Sequence, residues 1–164
     1  MKSGAGAANM RIVISSEDRR WAAAWPGRGR DVRTLIRAAA AADAAAGRAG
    51  GALEVVLSAN ASVRALNAQF RGKDTATNVL SFANPSQPPG SIILAFETVA
   101  AEAETQGKAF ISHSKHLILH GFLHLCGYDH ETVAERRLME RLEIRILAAM
   151  GISNPYLVES VLRR

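Results

Sequence analysis

The chain has a single cysteine, Cys126, among its 164 residues. An intramolecular disulfide is therefore impossible, and a metal cage built on several thiolates is excluded. A reducing cytoplasm is the compartment this usage fits. Aromatic residues are also scarce, at 5% of a chain that is 48% hydrophobic, so the core is expected to draw mainly on Ala, Leu, Ile and Val. No apolar run approaches the roughly 18 residues that span a bilayer, and no basic segment with an apolar core opens the chain. A soluble, unexported, cytoplasmic protein without membrane contact is the expectation. Linkers and internal repeats are missing too, and the length suits one domain with no room for a separate cofactor domain.

What is present begins with charge. Twenty Lys and Arg against fifteen Asp and Glu leave a net charge of +5, which favours polyanionic partners such as nucleic acid without requiring one. Residues 1 to 10, opening MKSGAGAAN, read as a flexible tail ahead of a single domain over 11 to 164. Alanine runs at 22 to 24 and 38 to 42 point to tightly packed helices. Strands are expected at RIVIS (11–15), LEVVLSA (53–59), VLSF (79–82) and SIILAF (91–96). Helices are expected over 31–46 with Asp31 in or before the first turn, then over 62–71, 97–106 and 113–126. The last helix, 131–149, opens on Thr132 and Glu135 at capping-box spacing. This pattern gives an α+β domain, a small mixed β-sheet packed by helices.

The densest signal is HGFLHLCGYDH, residues 120 to 130, which holds three of the five histidines. His120 and His124 are one helical turn apart on one face and can reach one metal ion. Gly127 can adopt the left-handed conformation that ends a helix and brings His130 back as a third ligand. Three neutral imidazoles leave a fourth position open, as in catalytic rather than structural zinc sites. A set using His116 fails on reach, since His116 and His124 lie roughly 12 Å apart along the helix axis. His113 and His116 read instead as polar or packing residues near the helix start. The spacing is that of a zincin or metzincin helix, but Gly121 stands where those peptidases carry their glutamate base.

The stretch HGFLHLCGYDHE resembles the signature of the YbeY family of endoribonucleases. LNAQFRGKDTATNVLSF (66–82), GSIIL (90–94) and the ending from Met139 and Glu140 through ILAAMGISNPY are similar to further segments of that family. The resemblance implies a zinc-dependent, single-strand-specific endoribonuclease acting in 16S rRNA 3′-end maturation, ribosome biogenesis and quality control. It implies one Zn2+ per chain on His120, His124 and His130. Partners would be single-stranded RNA, the small ribosomal subunit and its assembly factors. Two positions depart from the family pattern: Ser91 replaces a usual aspartate and Ala76 a common proline.

Arg71 and His120 are the candidate catalytic residues, and Arg71 and Lys73 the candidate RNA contacts. The resemblance places a functional arginine at Arg71, whose planar guanidinium matches phosphate oxygens; by itself it also reads as an exposed helix-end cation on terminal carbonyls, and Lys73 reads equally as a solvated loop cation. Asp74 reads as a turn residue, Asp129 as an N-cap or a support for a histidine ring, and Glu131 as a first-turn acid or a proton acceptor. Cys126 reads as a small buried residue. Phe70, Phe82, Phe122 and Tyr128 lie in or beside the motifs; core packing is the reading for Phe82 and Phe122, a surface role for Tyr128. Two alternatives stand beside the nuclease: a zinc peptidase-like hydrolase, and a ribosome assembly factor with a mainly structural metal.

Overall fold

The computed structural model describes Gly6 and residues 9 to 157. The tail expected over residues 1 to 10 lies mostly outside the described residues, but Met10 is buried and packs into the main core.

Four strands form one sheet in the order β1-β2-β4-β3. β1 (Arg11–Ser16), β2 (Ala52–Ser58) and β4 (Pro89–Ala95) run parallel, and β3 (Val79–Ala83) pairs antiparallel with β4 at one edge. Parallel neighbours need long crossovers. Between β1 and β2 the crossover consists of α1 (Arg20–Ala24), α2 (Arg28–Ala42) and α3 (Ala44–Gly47), and α4 (Asn60–Arg71) follows β2. After β4 come α5 (Phe96–Thr105), α6 (Phe110–Leu125) and α7 (Val133–Ala149). The α+β domain with a small mixed sheet is what the pattern led one to expect. No helix among the described residues is long and apolar enough to cross a membrane.

Strand side chains alternate between two faces. Leu53, Val55 and Leu57 of β2 and Ile92 and Leu94 of β4 join the main core, with Leu35, Ile118 and Phe122 from the helices. Val56, Ile93 and Ala95 point the other way, into a smaller cluster with Val63 of α4 and Leu80 of β3. Both faces are thus covered, and α6 lies in the main layer against β3, β4, α2, α5 and α7.

One expectation needs correction. The helix expected over 31–46 starts at Arg28 and breaks at Asp43, whose backbone is extended and whose carboxylate accepts a 3.0 Å bond from the Ala46 N–H to cap α3. Aspartate competes with the helix for backbone donors, so the alanine run divides there. The core is aliphatic by number, yet its largest fully buried side chains are Trp21 and Trp25. Trp21 lies 5.3 Å from the Phe96 ring and 5.2 Å from Phe110, and its indole N–H donates to the Ser58 carbonyl at 2.7 Å. The Trp25 indole donates to Asp31 at 2.8 Å. The few aromatics are concentrated where α1, absent from the sequence expectations, meets the sheet and α5.

Candidate metal centre

The helix that carries the histidines ends for a local reason. Gly127 takes φ +105°, and the N–H groups of Gly127 and Tyr128 return to the carbonyls of His124 and Leu123 at 3.0 and 3.1 Å. The chain then doubles back and His130 rejoins the face of α6. One nitrogen each of His120, His124 and His130 lies within 4.8 Å of the other two. The ring centroids are 5.0 to 5.7 Å apart. Nitrogens on a tetrahedral zinc at roughly 2.0–2.1 Å are about 3.4 Å apart, so an inward closure would let the three share one ion.

Two of the rings are oriented from behind. The Nδ1–H of His124 donates to the Tyr128 carbonyl at 2.7 Å, and the Nδ1–H of His120 donates to Glu143 at 2.6 Å. Each bond leaves Nε2 as the lone-pair nitrogen, the tautomer that binds a metal. The Tyr128 hydroxyl in turn donates to Asp43 at 2.6 Å, tying the turn that carries His130 to the break between α2 and α3. These donors, distances and tautomers fit a cation bound by the three rings.

Glu143 was not among the candidates read from the sequence. It is fully buried on α7 and accepts from His120, from the His116 Nε2–H at 2.9 Å, and from the Tyr156 hydroxyl. Burial pushes its carboxyl up, but the hydrogen bonds it accepts from His116 and His120 outweigh that and hold the group at about 2. A signal for it existed: Glu143 falls within the buried stripe Met139, Leu142, Ile146 and Leu147, where an unpaired carboxylate would be prohibitive.

His113 and His116 are buried as polar support. His113 contacts Glu102 at 3.1 Å and His116 joins Glu143. Burial lowers the His113 pKa against the opposing pull of Glu102.

A hollow of about 560 Å³ opens over the cluster, lined by His120, His124, His130, Arg71, Asn78 and Ser81 among others. Arg71 comes from the last residue of α4, and its guanidinium donates to the Ser81 carbonyl at 3.2 Å. A second hollow of about 340 Å³ shares His120, His130 and Tyr156 and adds Arg136 and Glu140.

Lys73 is exposed on the loop after α4, and neither it nor Glu131 lines either hollow. Asp74 pairs with Arg64 at 2.8 Å. Asp129 accepts from the backbone N–H of His130 at 2.7 Å, whereas the N-cap of α7 is Thr132, in a complete capping box with Glu135. Ser91 pairs with Phe82 across β3 and β4, outside both hollows. Cys126 is partly buried, and burial pushes its thiol up to about 12.

Gly121 explains how close the helix lies to the sheet. A Cβ there would meet the Ser81 hydroxyl at 2.8 Å and an Ile92 methyl at 3.2 Å. A glutamate at this position, the peptidase arrangement, would have to displace the Ser81 and Ile92 side chains.

An α+β domain whose helix presents a His-x3-His pair, with a third histidine returning across a glycine turn, defines a protein with a zincin-like metal-site helix. The chain belongs to the YbeY family: the family model described as Endoribonuclease YbeY matches residues 26–151. It is 46% identical over 144 residues to Endoribonuclease YbeY of Chelativorans sp. (strain BNC1), covering 80% of this chain and 86% of that one. It is 48% identical over 143 residues to Endoribonuclease YbeY of Rhodopseudomonas palustris (strain ATCC BAA-98 / CGA009), covering 80% and 75%. The solution structure of a Thermotoga maritima target protein shares the fold, with a TM-score of 0.55 and 21% identity over 87% of this chain and 91% of that one.

Proposed function

We propose that this protein is a zinc-dependent, single-strand-specific endoribonuclease that acts in 3′-end maturation of 16S ribosomal RNA and in ribosome biogenesis and quality control. The observation that carries the reading is the meeting of three histidines and an arginine fork in one hollow, in a chain of this family. One Zn2+ per chain is held by His120, His124 and His130, a ligand set that suits it. When bound, zinc supplies Lewis-acid charge for a phosphoryl oxygen and makes water a better nucleophile.

The chain's own residues do the remaining work. Arg71 offers its guanidinium to the non-bridging oxygens of the scissile phosphate and neutralises charge as displacement proceeds. Its bond to the Ser81 carbonyl positions it beside the histidines before the substrate arrives. Glu143 and the Tyr128 carbonyl keep His120 and His124 in the ligating tautomer. Lys73 adds long-range attraction for the strand. The small ribosomal subunit and its assembly factors are the proposed partners, in the cytoplasm. Against a peptidase stands Gly121, packed against Ser81 and Ile92 where the glutamate base would be.

Metal content and cleavage of a labelled single-stranded ribosomal RNA fragment test this reading with wild type, His124→Ala and Arg71→Ala. Wild type should hold about one zinc and cut. His124→Ala should lose both properties. Arg71→Ala should keep the zinc and cut roughly 100-fold more slowly, the scale of losing one preorganised donor. Equal cutting by all three proteins would assign the cleavage to a contaminant and favour an assembly factor with a structural metal.

A further inference from the structure

The geometry points to Phe70 as a stacking platform for a nucleobase of the bound strand, next to the phosphate held by Arg71. The inference rests on the RNA reading above and deepens it, because it gives a physical origin for single-strand preference. Phe70 is 60% exposed although it is a large apolar side chain. One exposed apolar residue means little by itself; its neighbours give this one meaning.

Phe70 occupies the last turn of α4, immediately before Arg71, and α4 ends at once because Gly72 takes φ +67°. Its ring stands against Phe82 at 5.5 Å between centroids, inclined by 62°. Phe82 is itself packed against the small core under α4, so the upper ring rests on a fixed base. The Arg71 guanidinium lies 5.8 Å from the centre of the Phe82 ring. From there it bonds to Ser81 and lines the hollow that contains the histidines. Two consecutive residues thus connect the candidate centre, around the β3 edge of the sheet, to an open aromatic face.

A cation for the phosphate beside a ring for the base is the combination that binds single-stranded nucleic acid. Stacking on Phe70 requires a base whose face is free. In a duplex that face is covered by its neighbours, so a platform of this kind rewards single strands and gives nothing to helical RNA.

The test uses the full-length, zinc-loaded protein and a 2′-O-methyl oligonucleotide of about eight nucleotides, a length within single-strand site sizes, checked to be intact after each measurement. Affinity is read for the strand alone and for the same strand in a duplex. Phe70→Ala should weaken single-strand binding by roughly 5- to 100-fold, the loss of one base–aromatic stack, and leave zinc content and duplex affinity unchanged. Phe70→Trp should restore binding, and its indole emission should be quenched when the strand binds. Trp21 and Trp25 are 0% and 1% exposed, so wild type gives the background for that signal.

If Phe70→Ala binds the single strand as wild type does while Arg71→Ala does not, the platform is refuted and the nuclease reading survives. An equal loss on strand and duplex would also refute it, since stacking cannot act on covered bases. If wild type binds no RNA, both ideas fall together.

Discussion

Replacing Glu143 should damage stability and metal binding together. Its carboxylate is fully buried and is the shared acceptor for His120, His116 and Tyr156. In Glu143→Ala all three donors lose that acceptor, and an unpaired buried donor costs about 1–3 kcal/mol. Simple addition overstates the sum, because Tyr156 borders two open hollows and its hydroxyl can turn to water. The expected loss is about 3–5 kcal/mol, the scale of two lost hydrogen bonds to a charged group at about 1.5–3 kcal/mol each. A domain with about 5–15 kcal/mol in hand would be left near its limit.

Glu143→Gln separates packing from hydrogen bonding. It keeps the volume and one carbonyl acceptor, but its NH2 group faces donors, so the loss should be about 1–3 kcal/mol. Urea unfolding of the metal-free proteins measures these values, and competition with a chelator measures zinc affinity. Without its Nδ1 anchor the His120 ring is free to turn, and affinity should fall by about 10- to 100-fold. Wild-type midpoints and wild-type zinc affinity in both variants would refute the assignment of Glu143 as the support of His120.

Three further outcomes are expected. Tyr128→Phe removes the bond to Asp43 and should cost about 1 kcal/mol, with a several-fold loss of zinc affinity as the turn bearing His130 loosens; unchanged chelator competition would count against this coupling. Gly121→Ala should destabilise by about 1–3 kcal/mol through overpacking against Ser81 and Ile92, and a thermal melt equal to wild type would show that the helix shifts freely. The bond from the Trp25 indole, aided by Lys115 and Arg30, lowers the Asp31 carboxyl below its ordinary 3.8. A depressed folded value means that its stabilisation is complete above that ordinary pKa and is lost as pH falls through the lowered one. Asp31→Asn should therefore flatten the acid limb of the stability curve, and an identical limb would contradict the assignment.

Local features were readable from the sequence because their causes are local. His120, His124, Gly127 and His130 lie within one turn of helix and a reversal, and Thr132 with Glu135 cap α7 within four residues. The short apolar runs of β2 and β4 likewise marked strands buried on both faces. What escaped depends on partners far along the chain. Glu143 makes sense as a buried acid only once His116 and His120, 27 and 23 residues earlier, are placed beside it. Asp43 breaks the alanine helix through a local cap on Ala46, but its second partner, Tyr128, lies 85 positions away. The two tryptophans were too few to weigh in a composition, yet they are the largest fully buried side chains of the core.

The contiguity of the three histidines also sets an order of assembly. They belong to a helix and turn that can form from short-range contacts, early in folding by the usual relation between loop closure and rate. The carboxylate that locks His120 must wait for α7 to dock, and the aspartate behind Tyr128 for the packing of α2. The three nitrogens are thus gathered by chain-local contacts and held rigid only by tertiary ones.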